Sequence, residues 1–348
     1  MTMNRRSALT LGMGAAVFTA AGETPALAFA APSDAADAAD AAGPSGGAGP
    51  ASGTAAAGSD AALAAALGGG FISQYVTVNG LRLHYVAGGQ GAPLILLPGW
   101  PETWWEYRKV MPALAAAGRR VIALDLRGMG GSDKPAGGYD KKTMAGDVLG
   151  FIKALGYDKA DVAGHDIGSM VAFSFAANYP QAANRIAMLD VTHPNPGYYQ
   201  IPMLPQAGAP FYPWWFAFNQ VAGLPEELVT GRAQYIVDWM FDNLLLNQDA
   251  VTPLDRAVYA SAYNTPDGIR GGNGWYQTFG QDITDLAGYG KVTAPLLGMV
   301  NPVFAPQMQA TLPTQGTDVE VVVVPDTGHY FVEEQPQAVI DQFNKFFV

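Results

Sequence analysis

The chain has 348 residues, 49% of them hydrophobic, which is enough for a sizeable core in one large domain or two. Its formal charge of −11, with only 19 Lys and Arg, offers no basic surface to follow a phosphate backbone and argues against nucleic acid as a partner. The absence of Cys excludes disulfides, a thiolate nucleophile and Cys-ligated metal, and suits either redox compartment.

At the N-terminus, Asn4-Arg5-Arg6-Ser7 precedes a weakly apolar stretch from Ala8 to Ala21 and the small-residue sites Ala26-Leu27-Ala28 and Ala28-Phe29-Ala30. Residues 1–30 thus have the form of a twin-arginine export signal. The competing reading is an Ala-rich extension with two chance arginines on a cytoplasmic protein. Outside this segment no apolar run reaches the roughly 18–20 residues of a membrane-spanning helix. Residues 31–70 are almost entirely Ala, Gly, Ser, Pro and Asp, with an Asp-Ala-Ala-Asp pseudo-repeat; they read as a linker holding at most a short helix near Ala61 to Leu67.

From residue 71 the pattern is that of a folded domain. Two alternating runs, Tyr75 to Val78 and Leu81 to Val86, flank Asn79-Gly80 and predict an antiparallel hairpin, because both central turn positions want positive φ. Pro93 to Leu97 reads as a buried strand, Trp104 to Ala117 as a helix and Arg120 to Leu126 as a strand. The alternation continues with a helix from Lys142 to Leu155, a strand from Lys159 to Ala163, a helix from Gly168 to Asn178 and a strand from Arg185 to Asp190. It predicts an α/β fold: a mostly parallel sheet flanked by helices. Between residues 193 and 287 the rhythm breaks into aromatics, Pro and Gly, with helical periodicity in pieces such as Glu226 to Leu246, as expected of an inserted, mainly helical cap. The core resumes over residues 288–348, with strands Pro295 to Val300 and Val319 to Val324 and a helix from Gln337 to Phe346, so residues 71–192 and 288–348 form one core. Caps of this sort cover sites at the C-terminal ends of parallel strands.

The sharpest chemical signal is Gly164-His165-Asp166-Ile167-Gly168, between a predicted strand and a helix that begins at once. Flanking glycines permit a strained strand-to-helix turn that lifts one side chain above the sheet, and here that side chain is a carboxylate. The backbone N–H of Ile167, at the helix N-terminus, favours negative charge beside it. An Asp that merely caps a helix is the plainer alternative. The second signal is Gly328-His329 after the strand ending at Val324, where an imidazole can reach a neighbouring strand's nucleophile and act as a base near neutral pH. His84, His165 and His193 compete with it. His329 stands out because it follows the nucleophile in the chain order of this elbow-type fold. The four histidines show no metal-ligand spacing, so neither metal nor organic cofactor is implied.

With Pro98-Gly99-Trp100-Pro101-Glu102-Thr103-Trp104, Asp125-Leu126-Arg127-Gly128-Met129-Gly130-Gly131-Ser132-Asp133, Leu224-Pro225-Glu226-Glu227-Leu228 and the segments above, the chain from residue 71 to 348 resembles the epoxide hydrolase and dehalogenase branch of the α/β-hydrolase superfamily. The resemblance implies that Asp166 makes an alkyl ester and that water activated by His329 hydrolyses it. Backbone N–H groups of Trp100 and Ile167 would hold the oxyanion. Two departures stand out. Pro98 replaces the His of the usual His-Gly-x-Pro, which spares the backbone donor, and Val300-Asn301-Pro302-Val303 has no carboxylate where many relatives place the acid. Part of the branch carries that acid after the next strand, which here is Asp190; a helix or loop cap is its structural alternative.

The resemblance also bears on the leaving group. Epoxide hydrolases place acidic donors over the departing oxygen, and the matching positions are Tyr276 and, within a residue of slack, Trp214 or Trp215. An indole donates but does not release a proton readily, so Tyr276 would supply it. All three could instead only pack the cap. Haloalkane dehalogenases usually have Trp directly after the nucleophile and fluoroacetate dehalogenases Arg, whereas this chain has Ile167. The expectation is therefore an epoxide hydrolase that forms vicinal diols from a bulky apolar or aromatic small molecule, similar to enzymes of aromatic polyketide pathways. A dehalogenase with the same Asp and a non-catalytic binding protein on the same scaffold are the alternatives.

Overall fold

The computed structural model describes residues 58–202 and 213–348. The proposed export signal and the linker up to residue 57 lie outside the described residues. Order begins earlier than residue 71: Ser59 caps helix α1 (Asp60–Ala66), which buries Leu63 and Ala64, and Asp60 accepts from the Trp104 indole at 2.7 Å. The short helix anticipated inside the linker is thus attached to the core.

The hairpin opens the sheet, with β1 (Ile72–Val78) and β2 (Leu81–Gly88) paired in register about Asn79 and Gly80, whose φ values are 52° and 78°. Six further strands follow: β3 (Ala92–Leu97), β4 (Arg119–Leu124), β5 (Ala160–His165), β6 (Ala183–Leu189), β7 (Leu296–Val300) and β8 (Val319–Val323). They form one eight-stranded sheet in the order β1-β2-β4-β3-β5-β6-β7-β8, parallel from β4 to β8. Every residue of β5 and β7 is buried, as expected for inner strands covered on both faces. The flanking helices are α2 (Met111–Ala116), α3 (Lys141–Ala154), α4 (Ile167–Asn178), α11 (Ala305–Gln315), α12 (Phe331–Glu334) and α13 (Pro336–Phe346).

Between β6 and β7 lies a run of helices: α5 (Trp214–Phe218), α6 (Leu224–Val229), α7 (Ala233–Leu244), α8 (Pro253–Ala262), α9 (Pro266–Gln277) and α10 (Phe279–Leu286). Three local expectations need correction. The stretch from Trp104 to Ala117 is a 3₁₀ turn (Trp104–Lys109) followed by α2, because Pro112 lacks an N–H and restarts the helix at its N-terminus. The helix anticipated from Glu226 to Leu246 breaks at Gly231, which adopts φ 72° and separates α6 from α7. Helix α11, between β7 and β8, had no counterpart in the sequence reading.

Candidate active site

Neighbouring strands deliver the predicted residues to one edge of the sheet. Asp166 directly follows β5 and Asp190 directly follows β6, the turn after β8 carries His329, and Trp100 and Asn301 follow β3 and β7. Asp166 has φ 48° and ψ −117°, a strained conformation for a residue with a side chain. The turn is possible because Gly164 and Gly168 have no Cβ: a methyl group on either would collide with backbone, that of Gly168 and that of Leu97 respectively.

Asp166 does not serve as an ordinary side-chain helix cap. Its Oδ1 accepts from the Trp100 N–H at 3.2 Å, and its Oδ2 lies 3.6 Å from His329 Nε2. Burial pushes its carboxyl up, but His329 beside it, the charge of His165 and the Ile167 N–H together hold it below the ordinary range. On the other side of the imidazole, Nδ1 meets Asp190 Oδ2 at 2.5 Å. Asp190 is buried and accepts from the Asn301 backbone N–H at 3.0 Å and from its amide at 3.1 Å. Asn301, in the segment noted for lacking an acid, therefore clamps the acid supplied by the neighbouring strand. Its own oxygen accepts from Val303 and Phe304, which fixes the amide's orientation.

Burial pulls the His329 imidazole down, but Asp166 and Asp190 outweigh this and raise it to about 9. The resting site thus has an imidazolium between two carboxylates. The three rival histidines have other surroundings. His84 pairs with Asp125 at 2.7 Å in the hairpin, and His193, buried against Pro194 O, is pushed down to about 3 and stays neutral. His165 lies behind the nucleophile, where its Nδ1 is 3.6 Å from Glu102 and 3.3 Å from Glu106, distances of ion pairing. Burial opposes its charge, yet Glu106 and Glu102 raise it well above the ordinary imidazole range. Its Nε2 meets the His329 carbonyl at 3.0 Å, and Glu106 accepts from the Gly99 N–H at 2.9 Å. This buried cluster ties the oxyanion turn, the elbow and the base loop together, and periodicity alone gives no sign of it. Burial, then Glu106, raises Glu102 to about 8.

Two trios bring ligand-type atoms within 4.8 Å of one another, His165/Asp190/His329 and Glu102/Glu106/His165. In each, an imidazole faces carboxylate oxygens at ion-pair distance.

These groups set a pH dependence of stability. His329 is raised in the fold from 6.5 to about 9, so its contribution is complete below pH 6.5 and disappears as pH rises through about 9. Glu102 is raised from 4.5 to about 8, so its ionisation also penalises the fold over that rise. Melting temperature should therefore fall between about pH 6 and about pH 9. Calorimetry checks this; a melting point that rises over that range would contradict it.

Across from Asp166, Tyr276 is fully buried, and its hydroxyl has the Trp215 side chain as a hydrogen-bond partner. Burial and then the Asp166 charge raise this phenol well above its ordinary value, so it keeps its proton. Trp214, the other indole expected near this position, has different neighbours. It packs edge-on against Trp215, Phe218 and Trp239, as neighbours on a helix point different ways. Phe216 and Phe279 complete an aromatic wall around Tyr276.

A parallel sheet whose elbow presents a carboxylate, served by a His–Asp pair and covered by helices, defines an α/β hydrolase. A family model for the alpha/beta hydrolase fold matches residues 92–336. The soluble epoxide hydrolase of Corynebacterium sp. (strain C12) is 37% identical over 286 residues, spanning 78% of this chain and 95% of the relative. The chain belongs to the α/β-hydrolase fold family, in its epoxide hydrolase and dehalogenase branch. The solved structure of the epoxide hydrolase CorEH without ligand matches with a TM-score of 0.71 at 35% identity, over 80% of this chain and 98% of that one. A fluoroacetate dehalogenase from Burkholderia sp. is 27% identical over 284 residues, 77% of this chain and 90% of its own.

Proposed function

We propose that this protein is an epoxide hydrolase that opens an epoxide to a vicinal diol through an ester on Asp166. The observation that carries the reading is the pairing of two opposed groups: a carboxylate lifted on the elbow, and a phenol that keeps its proton and shares its hydroxyl with Trp215. An Oδ of Asp166 attacks one oxirane carbon, the C–O bond breaks, and the departing oxygen takes its proton from Tyr276 while Trp215 donates a second hydrogen bond. His329 returns the proton of its imidazolium to the Tyr276 phenolate and, now neutral, takes one from the water that attacks the ester carbonyl; the N–H groups of Trp100 and Ile167 hold the oxyanion, whose collapse breaks the ester C–O bond and frees the diol as its oxygen takes the proton back from His329. Asp190, clamped by Asn301, orients the imidazole and stabilises its charge. The helices between β6 and β7 act as the cap, their aromatic wall suits an apolar, ring-bearing substrate, and residues 1–30 direct export.

The likeness to a soluble epoxide hydrolase over most of both chains supports this reading. The dehalogenase alternative has one observation in its favour: the Trp215 indole, a donor without a readily released proton, would suit a departing halide.

The two separate by product. The protein should yield diol from an aryl-substituted epoxide and little halide from a haloalkane. Tyr276→Phe should slow alkylation by at least about tenfold, or ~1.4 kcal/mol of barrier. Trp215→Phe should add to the loss, and Trp214→Phe should not. If Tyr276→Phe left diol formation untouched while Trp215→Phe removed halide release, the dehalogenase reading would replace this one.

A further inference from the structure

The two donors over the elbow each have a polar neighbour one helical turn away. Asn219 follows Trp215 by four residues and caps α5; Asn273 precedes Tyr276 by three residues on α9. Residues so spaced share a helix face, about 5–6 Å apart. The Gln277 amide donates to the Asn219 carbonyl at 3.3 Å, which holds the end of α5 beside the end of α9 and sets the two rows next to each other.

Both Asn side chains are buried, at 2% and 3% exposure, and neither Nδ2 has a hydrogen-bond partner among the described residues. Buried amide donors without partners are rare, and an unmatched one costs free energy comparable to a lost hydrogen bond. Both residues line the same small cleft, whose room of about 20 Å³ suits a single acceptor atom rather than the body of a substrate, and whose walls include Trp100, Phe218, Val237 and Tyr263. Trp100 is a wall shared by this cleft and the elbow: its backbone N–H reaches Asp166, and its indole packs edge-on against Tyr276. The cleft is otherwise mostly apolar, so the two amides are the groups that would recognise an oxygen reaching into it from a substrate seated at the elbow.

We infer that Asn219 and Asn273 form a second donor pair, which binds an acceptor oxygen on the substrate about one helical turn from the oxygen of the ring. The proposal rests on the epoxide reading and sharpens its substrate class. The preferred epoxide is an oxygenated one, an apolar body carrying a carbonyl, ether or hydroxyl oxygen about four to five bonds from the oxirane oxygen. Opening such a compound gives a diol with a third oxygen function, so the reactions that supply the substrate must install both the oxirane and that further oxygen.

A matched pair of synthetic epoxides tests this, one with a ketone at that distance and one with a methylene in its place. The wild-type protein should favour the ketone by about 100-fold in kcat/KM, since a site built to hydrogen-bond an oxygen rejects the analogue lacking it. In the Asn219→Leu/Asn273→Leu variant that ratio should collapse to about one. Ready turnover of both compounds by the wild type at similar kcat/KM would overturn the second pair while leaving the epoxide reading intact. A preference that survives in the variant would overturn it as well. No diol from either compound would remove the epoxide reading and, with it, this proposal. Should the double variant fail to fold, Asn219→Ala and Asn273→Ala carry the same comparison one at a time.

Discussion

Asp166→Asn is expected to lower diol formation by about 10⁴-fold or more, the size of loss seen when a covalent nucleophile is removed and only binding and the oxyanion donors remain. The amide matches the carboxylate in shape and tolerates positive φ, so the elbow at φ 48° should persist and the melting curve should keep its cooperativity. What disappears is the lone pair that attacks carbon. A second consequence can be read without substrate. His329 is held at about 9 in part by the Asp166 charge, so the same variant should lower the imidazole's titration midpoint, observable by NMR. Full activity, with mass spectrometry showing no deamidation back to Asp, would falsify the assignment of the nucleophile.

His329→Gln should separate the two steps. In the resting site the imidazole is protonated beside Asp166, and esterification of that carboxylate removes the charge that held the proton, leaving Asp190 to orient a base that is now free to accept one. In the proposed mechanism, base catalysis would thereby be tied to the intermediate that needs it. Glutamine cannot accept the proton, so the ester should form and persist, with steady-state turnover down by about 10³-fold. Mass spectrometry of the peptide containing Asp166 should show a gain equal to the mass of the epoxide. Diol release at the wild-type rate would mean that another group activates the water. A folded variant that neither turns over nor gains mass would support a binding protein on a hydrolase scaffold.

The sheet was legible because each inner strand is a short apolar run with a turn signal, and the elbow because its glycines are placed where no Cβ fits. Asp166, Asp190 and His329 come together as anticipated. Which tryptophan reaches Tyr276 could not be read from adjacent letters, since the choice depends on how α5 is rotated against α9. Nor could the partnership of Asn301 with Asp190, because its two hydrogen bonds cross from β7 to β6 and neither residue marks the other in sequence. The buried Glu102–Glu106–His165 group was hidden for the same reason: the two glutamates lie in and just before the 3₁₀ turn after β3, the histidine ends β5, and they meet only behind Asp166.

The helices above the elbow are joined to the sheet domain by buried polar contacts. Lys141 on α3 is buried and donates to the Trp275 carbonyl at 2.5 Å and to Asp282 at 2.9 Å, while the Trp275 indole donates to Arg127 O at 3.0 Å and Tyr263 to Glu102 O at 2.7 Å. Removing one partner from such a buried pair leaves an uncompensated charge, which is more costly than never having had the pair. Substrate range and scaffold are consequently inherited together. A chimera that transplanted α5 to α10 from a relative would have to bring a partner for Lys141 in place of Asp282, whereas the ties to the carbonyls of residues 102 and 127 ask only for donors on the incoming helices, and diversification of the cleft is easiest on the faces of α5, α7 and α9 that carry none of these ties.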